Sequence, residues 1–168
     1  MQPWFGFYAV IGAAAATLLG LLFVAVSMNA AAMLGVGHET AKRLAEQAFQ
    51  NYQAVLLISL LALFPDMNTS TFGLVTICVT TVWAMWMLVR FYLALVRPSD
   101  HESRWYALRR HLSSLIGFGM LIIAALRMAM KWGEDRNLFA IATIVLLFSA
   151  TLVSWDLLIR IAKTHRSH

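Results

Sequence analysis

Charge is scarce in this chain. Of its 168 residues only 12% are Asp, Glu, Lys or Arg, about half the share of an ordinary soluble domain. Cysteine is almost absent, and the lone Cys78 excludes an intrachain disulfide and any Cys-x-x-Cys redox or zinc site. There are three prolines, no low-complexity linker and no internal repeat, so nothing marks off a separate soluble domain. Catalytic signatures are missing too: there is no H-E-x-x-H, no G-x-S-x-G and no phosphate-binding loop. His38, His101 and His111 are spread over interfacial segments, and His165 and His168 sit in the tail. None is placed to face another across a bundle as a haem ligand. The expectation is a chain that is not an enzyme and holds no cofactor or metal.

What is present is apolar surface. Hydrophobic residues make up 61% of the chain, more than a soluble globule of this size can hide. Stretches of about 20 apolar residues cross a hydrocarbon core of about 30 Å, and the pattern predicts an all-α integral membrane bundle of five transmembrane helices. The spans fall at about 4–27, 49–65, 72–96, 113–132 and 138–161. Pro3 suits a first helical turn, Gly35 and Gly37 break the first helix, and Pro65 stops the second. Ser99 to Glu102 reads as a capping box opening the fourth. The start lacks the Lys or Arg of a leader, and its apolar run is longer than a cleavable core, so it reads as a retained anchor.

Lys and Arg set the orientation. One side collects Lys42, Arg43, Arg90, Arg97, Arg104, Arg109, Arg110, Arg160, Lys163 and Arg166, against Arg127, Lys131 and Arg136 on the other. That bias puts the N-terminus outside and the C-terminus in the cytoplasm of a multi-pass plasma-membrane protein. The net charge of +5 then belongs to topology and to anionic lipid at the inner interface, where Arg104, Arg109 and Arg110 interleave with Trp105 and Tyr106. Nucleic acid is not an expected partner. A first helix from Pro3 to Leu34 would be about 46 Å long. With the amphipathic "HETAKRLAEQAFQNYQ" beside it, this predicts a cytoplasmic helical hairpin at about residues 30–48, either projecting or packed on neighbouring helix ends.

Three groups of residues stand out as candidate sites. Gly12, Ala16, Thr17, Gly20 and Ser27 form a small-residue stripe on helix one, read either as a packing seam or as the lining of a narrow, weakly polar pore. Ionisable and polar groups within spans are costly in lipid and mark function. Glu46, Asn51, Arg90, Asp156 and Arg160 make a candidate inner polar vestibule, with a structural ion-pair network as the plainer reading. Trp83 and Trp86 lie inside span three, as packing or as a site for an apolar ligand, and Trp86 is one turn from Arg90.

The stretches "GAAAATLLGLLFVAVSMNAA" and "RLAEQAFQNYQAVLLISLLALFP" resemble small, uncharacterised bacterial membrane proteins of actinobacterial type. That resemblance implies a bacterial plasma-membrane protein and nothing about activity. "ATLLGLLFVAVSMNAAAML" is also similar to the pore helix of Orai calcium channels. The acidic filter residue is absent and the expected orientation is reversed, so calcium selectivity does not carry over. Three function classes follow: a homo-oligomeric channel or small transporter with helix one near the axis, an accessory or regulatory subunit of a membrane complex, or a lipid- or apolar-ligand-binding membrane protein.

Overall fold

The computed structural model describes residues 2–30, 39–65, 68–96, 104–130 and 136–164. The chain is all-helical there, with α1 Gln2–Met28, α2 Glu39–Ala62, α3 Thr69–Val96, α4 Arg104–Ala129 and α5 Arg136–Thr164. Four stretches are long and apolar enough to cross a membrane: Trp4–Met28, Thr69–Val89, Leu112–Ala129 and Arg136–Ala162. α2 is not among them. Glu39, Lys42, Arg43, Glu46, Gln47, Gln50, Asn51 and Gln53 crowd its stretch up to Gln53.

Helix ends differ from the sequence reading where local hydrogen bonding decides. α1 runs to Met28, where regular bonding is interrupted: Asn29 donates its backbone N–H to Val26 O at 3.2 Å and its side-chain amide to Ala25 O at 2.8 Å. The side chain thus satisfies a carbonyl that the interruption leaves open. Ala30 is helical again, and the expected continuation to Leu34 lies outside the described residues. α2 tightens at its end, with Leu63 and Phe64 donating three residues back, to Leu60 and Leu61. The start of α3 precedes the expected Phe72, because the Asn68 carbonyl already accepts from Phe72 N–H at 2.9 Å. The turn of the expected hairpin, residues 31–38, and the capping box at 99–102 lie outside the described residues.

The chain divides into two compact units, one of residues 1–59 with 147–168 and the other of residues 60–146. In the first, Leu22 of α1, Ala41, Leu44, Ala48 and Tyr52 of α2, and Ala150, Val153, Leu157 and Ile161 of α5 form one apolar cluster. The amphipathic start of α2 therefore packs on its neighbours through Ala41, Leu44 and Ala48. The cluster also sets direction. Tyr52 bonds Thr151; were α2 and α5 parallel from that point, Ala41 and Ile161 would stand about 30 Å apart along the axes. Sharing one cluster, they must run antiparallel. In the second unit α3 and α4 pack closely at Gly73, where an added Cβ would lie 2.7 Å from Ala129 N and 2.8 Å from Ala125 O. Phe72 and Phe139 meet edge to face at 5.2 Å between ring centroids.

Candidate functional site

α1 has two unlike faces. Tyr8, Gly12, Ala15 and Leu22 are buried, and a Cβ on Gly12 would come within 3.0 Å of Ser59 Cβ. Glycine is needed there so that α1 and α2 can approach. Turned away are Ala13, Ala16, Thr17, Gly20 and Ser27, all exposed and interleaved with the equally exposed Leu21, Phe23, Val24 and Met28, and nothing lies within 4 Å of a Cβ added to Gly20. Thr17 donates its hydroxyl to Ala13 O at 2.9 Å, which leaves its lone pairs facing outward. The stripe read from the sequence thus splits: Gly12 serves the internal contact, and the other four candidates form an open face. Over an eighteen-residue apolar window 17% of α1 is buried, against 44% of α5.

The vestibule candidates also separate. Asn51 is 1% exposed and turned into the helical core. Glu46 is half-buried, while Asp156 and Arg160 are exposed on α5. The backbone of Arg90 belongs to α3; its side chain lies outside the described residues. Of the two tryptophans, Trp83 is half-buried and Trp86 is 42% exposed. The structure therefore does not bring Asn51 and Asp156 to a common surface.

A polar centre that the sequence reading passed over sits between α2 and α5. Tyr52 is buried, and its hydroxyl lies 3.4 Å from both Thr151 Oγ1 and Ser154 Oγ. Thr151 donates to Leu147 O at 2.9 Å, so it must accept from Tyr52, and Tyr52 in turn must accept from Ser154. The chain of hydroxyls ends on a backbone carbonyl, which makes it a bridge between helices rather than a proton route. The available signal was the three-residue spacing of Thr151 and Ser154, which puts both on one side of α5. Gln47, Asn51, Ser59 and Ser149 are buried in the same unit. Among the described residues no group of three His, Cys, Asp or Glu could hold a metal ion.

The chain matches no family model, no curated protein and no solved structure. Its function is read from its own geometry.

Proposed function

We propose that this chain is a five-span plasma-membrane protein, N-terminus outside, that assembles with copies of itself and acts as a channel or small transporter with α1 near the assembly axis. The observation that carries the reading is the open face of α1. A stripe of Ala, Thr, Gly and Ser gains little from lipid, since small side chains bury little apolar area there, but it suits close helix contact or a narrow weakly polar lumen. The register of α2 supports the fifth span. With Gly12 level with Ser59 and Tyr52 level with Thr151 and Ser154, α2 runs alongside the apolar lengths of both α1 and α5. Its polar residues then lie at membrane depth, with Asn51 and Gln47 shielded inside the bundle.

Transport is tested by reconstituting the purified protein in liposomes and following ion and small-solute release. Flux above empty vesicles, reduced by Thr17→Leu or Gly20→Leu, is the expected result. A monomer in lipid nanodiscs that passes nothing would overturn the reading. The accessory-subunit alternative requires one stoichiometric foreign partner on gentle extraction.

A further inference from the structure

Two outward faces of the first unit match each other layer for layer. On α2, Glu46, Phe49, Gln53 and Leu56 recur at alternating three- and four-residue steps, on the side away from the buried Leu44, Ala48 and Val55. Phe49 is 39% exposed and the other three are half-buried. On α5, Phe148, Leu152, Trp155 and Ile159 recur in the same rhythm and are all exposed, Phe148 at 64% and Trp155 at 63%. This is the spacing with which helices interlock side chains along a shallow left-handed crossing.

Depth decides that the two seams belong together. Within one copy Tyr52 stands level with Thr151 and Ser154. The helices are antiparallel, so each step along α2 is one step back along α5. Phe49 is therefore level with Trp155, Gln53 with Leu152, and Leu56 with Phe148. Rotation about an axis normal to the membrane keeps every residue at its depth, so these levels also hold between copies.

The flanks of the seams carry complementary polar groups. Asp156 is the only acidic residue in the four apolar stretches, and it is exposed beside the α5 seam. A carboxylate so placed is costly against lipid. Gln50, on the matching flank of α2, falls within about two residues of its depth, roughly 3 Å along the axis. We infer that the outward seam of α2 receives the outward seam of α5 from a neighbouring copy, with Gln50 donating to Asp156 across the contact.

The two seams are different surfaces, so the interface is head-to-tail, and such contacts close into a ring when their rotation allows. The inference rests on the homo-oligomeric part of the proposed function and is independent of transport.

Thiol cross-linking in membranes tests it, in a Cys78→Ala background. Chains carrying both Phe49→Cys and Trp155→Cys, treated with a short bis-maleimide, should shift from monomer to a ladder of dimers and higher species. Either substitution alone should stay monomeric, while two chains each carrying one, co-expressed, should give a mixed dimer. Gln53→Cys with Leu152→Cys is the second pair, should the first fail to accumulate. Dimers from Phe49→Cys alone would overturn the proposal in favour of α2 facing α2, and monomer throughout in both pairs would overturn it outright. A ladder in a protein that passes no solute would retain the interface and remove the transport reading.

Discussion

Gly73 and Gly20 show how differently one residue type is used. Gly73 faces backbone atoms of Ala129 and Ala125 at under 3 Å from an added Cβ, and backbone cannot swing aside as a side-chain tip can. Gly73→Ala should destabilise by about 1–3 kcal/mol, the usual cost of overpacking, read as a lower thermal midpoint in detergent. At Gly117 an added Cβ would lie 2.7 Å from Leu146 Cδ2 and 2.8 Å from its Cγ. Leu146 is fully buried and has little room to shift, so Gly117→Ala should also destabilise. Gly20→Ala meets nothing in its own chain and should leave the midpoint nearly unchanged. Any effect of Gly20→Leu should fall on assembly size instead, and size-exclusion in nanodiscs would show it.

Between elements, the hydroxyl bridge is the interaction most open to measurement. Tyr52→Phe keeps the ring in the cluster and removes the group that joins α2 to α5. The expected loss is about 1 kcal/mol, in line with interhelical hydrogen bonds inside membranes. A Thr151→Val change combined with it should add less than its separate cost, because both break the same chain of bonds. The helices themselves were legible, since apolar runs of this length leave few alternatives. The start of α3 was less so, because the Asn68 bond depends on local backbone geometry. The stripe on α1 was legible as a stripe, but only packing could reveal that Gly12 faces inward while Ala16, Thr17 and Gly20 face out. Tyr52 stands within the amphipathic stretch "HETAKRLAEQAFQNYQ". Its partners, 99 and 102 residues away, were beyond any local pattern.

At the scale of the whole molecule, the status of α2 governs topology. With α2 crossing the membrane the chain crosses it an odd number of times, so epitopes at the two termini should be accessible to protease from opposite faces. Accessibility of both from one face would mean that α2 does not traverse, and that the register argument from Tyr52 and Gly12 fails. The bias of Lys and Arg predicts which face each terminus takes. An Asp156→Leu chain should keep that topology while losing the contact assigned to its flank, which separates the two questions.

The first unit is closed by the two ends of the polypeptide, residues 1–59 and 147–168, and this bears on how the protein is made. α2 leaves the ribosome early, carrying Gln47, Asn51 and Tyr52, which are hidden in the finished bundle. The α5 surface that covers Tyr52 is synthesised last. Until then that side of α2 lacks its cover, and its polar groups must be kept hydrated or held by the insertion machinery. Loss of the final helix would leave that cluster permanently open. A nascent chain stopped before α5 should therefore be cleared by membrane quality control much faster than the full-length protein, as a pulse-chase of the two would show.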